Sequence, residues 1–326
     1  MIYTFLGRSG LKVSRLCLGT WNFGARTDEN EAFKIMDAAL EAGVNFFDTA
    51  NHYPDFVNCG HSETIIGRWM ALGNGRRERV VLATKVYQPM MNPHDGPNND
   101  GGLSKYKIRR HIEDSLTRLQ TSHVELYQMH HIDRHTAWDE VWEAFDVLVH
   151  QGKIGYVGSS NFPGWCLFKA QAAARERHFL GLISEQHKYN LLCRLPELEL
   201  LPAARNLGIG VLAYSPLANG LLTGNAIHPE LGSRAATEKE YVERHRDRFV
   251  SYETLCRDIG ETGTCVALAW ILANRAVTCT IIGPRTKGQF DDALRAVELT
   301  LDGEVLNRLD TLFPGPGGEA PEAYAW

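Results

Sequence analysis

The chain contains no apolar run approaching the roughly 18 residues needed to cross a bilayer, so a membrane-spanning helix is not expected. It contains no C-x-x-C pair either. Its seven cysteines (Cys17, Cys59, Cys166, Cys193, Cys256, Cys265, Cys279) are dispersed and odd in number, which fits reduced buried thiols better than a disulfide framework. A basic excess is missing: 34 Lys+Arg stand against 39 Asp+Glu, a formal charge of −5, so no nucleic-acid partner is expected. The N-terminal MIYTFLGRSGLKVSRL has no apolar core of signal-peptide length, so no secretory leader is expected. Nor is the chain short of apolar residues, which at 44% exclude disorder. These absences leave a cytoplasmic globular protein as the expectation.

What the sequence does have is alternation. Eight short apolar runs recur, at 16–18, 45–49, 80–85, 125–129, 154–158, 182–185, 209–213 and 277–282, rich in Val, Ile and Leu. Between them lie stretches such as EAFKIMDAALEAG, KYKIRRHIEDSLTRLQ, WDEVWEAFDVLVHQGK and TCVALAWILANR, with apolar positions at three- and four-residue spacing. Gly43, Gly152 and Gly208 close three of them as helix C-caps. Strict strand–helix alternation predicts a parallel sheet, and eight units in one chain predict an α/β fold of the (β/α)8 TIM-barrel type. IYTFL-GRSG-LKVS predicts an N-terminal β-hairpin capping the barrel's bottom, and DGEVLNRLDTLF a C-terminal extra helix. Residues 1–313 are expected to form one barrel domain and 314–326 a mobile tail, whose Tyr324 and Trp326 are able to fold onto a site. Two connections, 88–104 and 215 to about 249, are too long for mere linkage. Both would sit on the C-terminal face where barrels keep their chemistry.

The strand ends carry unusual polar groups. The second run ends FFDTANHY, placing Asp48 at its end and Tyr53 just beyond; the third ends at Lys85 and the fourth at His130. Each step is about one βα unit, so three neighbouring strands would aim these groups at one spot. A strand-end Asp alone is more often a helix cap, a lone Lys a solvated charge and a lone His a core side chain. Four in register have a common chemistry. A lysine beside a tyrosine favours the phenolate and is expected to lower its pKa, a carboxylate keeps the lysine charged, and a neutral histidine can bond a carbonyl.

Six motifs add to this: Gly19–Trp21 (GTW), Asp48–Tyr53 (DTANHY), Ala83–Lys85 (ATK), Tyr127–His130 (YQMH), Gly158–Phe162 (GSSNF) and Tyr214–Gly224 (YSPLANGLLTG). Together they resemble the aldo-keto reductases across residues 1–313. The resemblance implies a barrel that binds NADP(H) and a small-molecule carbonyl substrate, with Tyr53 as proton donor, Asp48 and Lys85 as its support, and His130 orienting the carbonyl. It implies cofactor contacts from Gly19, Thr20, Ser160, Asn161, Gln186, Tyr214, Ser215, Leu217, Arg234, Gly283, Arg285, Gln289 and Asp292. Of these, Ser160, Asn161 and Gln186 hold the carboxamide, Tyr214 stacks on the nicotinamide, and Arg285 and Gln289 meet the adenosine end. Two positions depart from the family pattern: Asn225 stands where a Lys is usual, and Asp292-Ala293 where Glu-Asn is usual. NDGGLS, HHIDR, WDEVW and KIGYVGSSN resemble reductases of nucleotide-linked deoxysugars. Trp21, His52 and Tyr87 are expected to line the substrate pocket, with the 88–104 loop suiting a bulky polar substrate.

The same residues admit other readings. Gly208–Ala213 spells G-x-G-x-x-A, but it ends a helix and opens a strand, the reverse of a dinucleotide fingerprint. His130 and His131 are adjacent on a strand and point to opposite faces, and no ligand cluster completes them, so no metal is expected. No G-x-S-x-G is present for a hydrolase. A strand-end lysine also suits a Schiff-base aldolase. The resembled family includes channel β-subunits with the same four residues, so a cofactor-loaded redox-sensing subunit is the further alternative.

Overall fold

A computed structural model of the chain describes residues 1–90, 93–229 and 233–325. Two short strands, β1 (Tyr3–Phe5) and β2 (Lys12–Ser14), form an antiparallel hairpin. Eight parallel strands follow: β3 (Leu16–Gly19), β4 (Phe46–Asp48), β5 (Val81–Val86), β6 (Val124–Met129), β7 (Ile154–Ser160), β8 (Leu182–Lys188), β9 (Gly210–Tyr214) and β10 (Val277–Ile282). They pair in chain order, and β10 closes on β3 to complete the barrel. The alternation seen in the sequence is therefore a (β/α)8 barrel, with each predicted run contributing one stave.

Two apolar layers hold it. Outside the staves, helices present apolar stripes to the sheet; in the helix Glu29–Glu41 this is Ala32, Ile35, Met36, Ala39 and Leu40. Asp28 starts that helix by accepting the amide of Glu31. Inside the barrel, Cys17, Phe46, Ala83, Leu126, Ile183, Leu212 and Cys279 meet Leu6 and Val13 of the hairpin. The hairpin therefore plugs the bottom, and burying Leu6 alone contributes ~2 kcal/mol. Gly7 sits at φ +56°, where a Cβ would lie 2.4 Å from the Ile183 carbonyl oxygen, so no side chain fits at this turn. With the bottom filled, the open end is the C-terminal face.

The structure adds helices that the hydrophobic pattern did not reveal. Lys239–Arg244 and Arg246–Asp258 occupy most of the second half of the predicted 215–249 loop. The helix Lys287–Arg295 follows β10 with only Phe290 and Ala293 buried, too narrow a stripe to read by period. Its signal was a cap instead: the Thr286 side chain accepts the amide of Gln289. The 88–104 connection holds a short 3-10 turn, Pro93–Asn99, and is tied down by Asp133 Oδ2, which accepts the Leu103 amide. Trp326 and the side chain of Tyr324 lie outside the described residues.

Candidate active site

Strand register brings the polar strand ends together. Asp48 pairs with Gly19 on one side and Ala83 on the other, and Lys85 pairs with Gln128 one pleat higher. Lys85 is fully buried, and its ammonium donates to Asp48 Oδ2 at 2.5 Å, to the Thr49 carbonyl at 2.8 Å and to the Tyr53 hydroxyl at 3.2 Å. The His130 ring stands edge-on to Tyr53 at 5.8 Å between centroids. The four residues singled out in the sequence thus form one cluster at the top of the barrel.

Burial sets their protonation. It pushes Lys85 toward the neutral form, but the Asp48 and Tyr53 contacts outweigh it and Lys85 holds its proton more tightly than a free lysine. His130 is held neutral, well below its ordinary value, by burial and then by the Lys85 charge. His52, packed 4.9 Å from His130, is lowered to about 4 for the same two reasons. Tyr53 corrects the expectation from sequence. Lys85 does pull its pKa down, but burial pushes it up and Asp48 adds to that push, so the net shift is upward. Neighbouring charge was legible from spacing, whereas the larger desolvation effect depends on the closed barrel.

Above the cluster lies a cavity of about 710 Å³. Asp48, Tyr53 and His130 border it, as does every cofactor position read from the sequence, from Gly19 to Asp292. Lys85 sits behind Tyr53 and does not. Trp21 and His52 border it too, but Tyr87 is not among the lining residues: its ring packs against His131 at 5.4 Å. None of the described residues of the 88–104 connection borders the cavity.

One end of the cavity is lined by amides. Asn161, at φ +61°, accepts the Tyr214 hydroxyl at 2.8 Å and donates to the His130 carbonyl at 3.1 Å, joining three strand ends. Gln186 donates to Asp48 Oδ1 at 2.8 Å. The other end is cationic. Arg234 lies over the Trp21 ring at 5.0 Å, and its proton affinity is lowered by burial and then by facing Arg26 and Arg285. Among the described residues no carboxylate pairs with any of these three guanidiniums, and Arg234 and Arg285 border the cavity. Asp292 also borders this end and accepts the Thr262 hydroxyl at 2.9 Å.

Sequence reasoning missed two participants. Gln128, fully buried, donates to Asp48 Oδ1 at 2.9 Å; its signal was position, two residues before His130 on the same strand face. Asn22 donates to the Gly283 carbonyl at 2.7 Å and pins the floor of the cavity across β3 and β10.

Comparison with known proteins agrees with this geometry. The profile of the Aldo/keto reductase family matches residues 15–313. The chain belongs to the aldo/keto reductase family. Among its aldo/keto reductase relatives is the "Uncharacterized oxidoreductase YrpG" of Bacillus subtilis (strain 168), 60% identical over the whole of both chains. The "Probable voltage-gated potassium channel subunit beta" of Arabidopsis thaliana is 31% identical, over 99% of this chain and 100% of its own. The "Aldo-keto reductase dtxS3" of Metarhizium robertsii is 32% identical, over 93% and 89%. Family membership makes the chain an oxidoreductase by class. Among the described residues no group of three or more His, Cys, Asp or Glu side chains is placed to hold a metal ion, and no helix is long and apolar enough to cross a membrane.

Proposed function

We propose that the protein is an NADPH-dependent carbonyl reductase that converts an aldehyde or ketone to an alcohol. One observation carries the reading: the Tyr53 hydroxyl, 3.2 Å from a buried ammonium, opens into the same cavity whose other end holds the Arg234 and Arg285 guanidiniums, which pair with no carboxylate among the described residues. A dinucleotide with an added 2′-phosphate fits that distribution of donors. Arg234 and Arg285, with Arg26 facing them, would hold phosphate, and Ser160 and Gln186 would meet the carboxamide beside Tyr214. When bound, NADPH supplies the hydride that adds to the carbonyl carbon.

The protein's own residues manage the proton. Tyr53 gives its proton to the carbonyl oxygen, and Lys85 stabilises the phenolate left behind. Asp48 keeps Lys85 charged and aimed. His130 is neutral, with Nδ1 buried and unpartnered among the described residues, so its Nε2 serves the cavity and orients the carbonyl. Asp48 also speaks against a Schiff-base mechanism, because it holds Lys85 in the charged form, which is not nucleophilic.

The substrate is an uncharged or nucleotide-linked carbonyl small enough to sit between Trp21, His52 and Tyr53; the likeness to deoxysugar reductases adds keto-deoxysugar nucleotides to that set. The test is a fluorescence titration with NADPH and NADH, followed by turnover on aldehydes, ketones and nucleotide-linked ketosugars. Tight NADPH binding with multiple turnovers is expected, and absence of binding overturns the reading. Tight binding without turnover on any carbonyl would favour the redox-sensing subunit that the Arabidopsis relative brings into view.

A further inference from the structure

Asp48 carries more hydrogen bonds than a support for one lysine needs. A carboxylate can only accept, so each of its partners must donate: Lys85 to Oδ2, and the side-chain amides of Gln128 and Gln186 to Oδ1 at 2.9 and 2.8 Å. This settles the orientation of Gln186. Its NH2 donates to Asp48 and, at 3.4 Å, to Gln128 Oε1, so its own Oε1 is left as the acceptor available to a ligand. Gln186 also borders the cavity, whereas Gln128 is sealed beneath it. Gln186 therefore touches both the ligand space and the charge that governs the proton donor.

Resting on the reductase reading above, we propose that Gln186 is a positioning residue that couples cofactor to acid: a ligand N–H bonded to its Oε1 tightens its bond to Asp48 and makes Tyr53 the readier proton donor. The chemistry is that of hydrogen-bonded amides in series. A donor on the oxygen of an amide polarises it, and the N–H on the other side becomes a stronger donor. A stronger donor on Asp48 offsets more of its negative charge. That charge acts against the Tyr53 phenolate, so offsetting it favours loss of the Tyr53 proton. The groups facing Tyr53 are Lys85, Asp48, His52, His130 and Tyr214. Burial and Lys85 keep the two histidines neutral and burial keeps Tyr214 neutral, so Lys85 and Asp48 are the charges that act. Linkage makes the effect reciprocal: the cofactor binds more tightly as Tyr53 loses its proton.

The nicotinamide carboxamide has the N–H that this coupling needs, and the 3-acetylpyridine analogue, a methyl ketone, has none. The experiment compares the alkaline limb of carbonyl reduction with reduced NADP and with its reduced 3-acetylpyridine analogue, in wild type and in Gln186→Met. The kcat limb, which reports the cofactor complex, is expected about half a pH unit lower with NADPH than with the analogue, a roughly threefold change in proton affinity. Gln186→Met is expected to erase that difference. Gln128→Met, which removes a donor with no contact to the cavity, is expected to move both limbs together. Where the analogue turns over too slowly, the pH dependence of the two binding constants gives the same comparison. Identical limbs with both cofactors in wild type, or a difference that survives in Gln186→Met, overturn the coupling. Failure of the reductase reading looks different: no turnover with NADPH at any pH.

Discussion

Replacing Lys85 with Met separates the electrostatic account of this site from a purely steric one. Met keeps most of the side chain's volume and removes the ammonium, so the barrel stays filled while Asp48 loses the donor on Oδ2. Gln128 and Gln186 still reach Oδ1, but neither brings a charge. Asp48 is 2% exposed and Lys85 fully buried, so water reaches the orphaned carboxylate only from the edge of the cavity. Breaking a buried pair in this way costs about 3–5 kcal/mol. The double variant Asp48→Asn/Lys85→Met leaves no buried charge and should recover at least about half of that loss, while staying as inactive as the single variant. Urea unfolding of wild type, both single variants and the double variant gives the coupling energy directly. There is also a pH signature. Lys85 holds its proton more tightly folded than free, so the pair's contribution is full below the ordinary lysine pKa and fades as pH rises through the raised value. The alkaline fall of wild-type stability should therefore be shallower in Lys85→Met. A single-variant loss under about 1 kcal/mol, or a double variant no more stable than Lys85→Met, would refute the reasoning.

Three further outcomes follow from the same geometry. Tyr53→Phe should abolish carbonyl reduction while NADPH binding, followed by fluorescence, stays near wild type; near-wild-type turnover would remove Tyr53 from its role. Arg285→Ala should raise the KM for NADPH about tenfold or more, as loss of a charged hydrogen bond does, with little change for NADH; equal effects on both cofactors would show that Arg285 does not meet the 2′-phosphate. His52 is lowered from its ordinary value to about 4, so the unfolded chain binds the extra proton first, and wild type should lose up to about 3 kcal/mol as pH falls from about 6.5 toward 4. His52→Phe should lessen that acid loss in urea titrations, while an unchanged acid limb would assign it to His130 and other groups.

Much of this protein was legible along the chain. Eight apolar runs separated by helical periods predict a parallel sheet covered by helices on both faces, and their number suits a (β/α)8 barrel, whose closure is seen in the pairing of β10 with β3. The same pattern predicted the plugging hairpin, and Asp48, Lys85 and His130 announced themselves by their place at successive strand ends. Patterning failed at Lys287–Arg295, which buries only Phe290 and Ala293, whereas Arg246–Asp258 went unread although Phe249, Tyr252, Leu255 and Cys256 recur at near-helical spacing. Tyr87 packs on His131 rather than lining the cavity, and its nearness to a strand end says nothing about which way its ring turns.

The sequence by itself determined which chemical groups exist and on which strands they ride, since side-chain period and strand order are local properties of the chain. Only the tertiary structure decided what those groups are worth. Desolvation raises the Tyr53 pKa against the pull of Lys85, two glutamines from β6 and β8 converge on one carboxylate oxygen, and Arg234 faces Arg26 and Arg285 with no carboxylate paired to them among the described residues. Each of these depends on dielectric and distance, and both are set by barrel closure rather than by spacing along the chain.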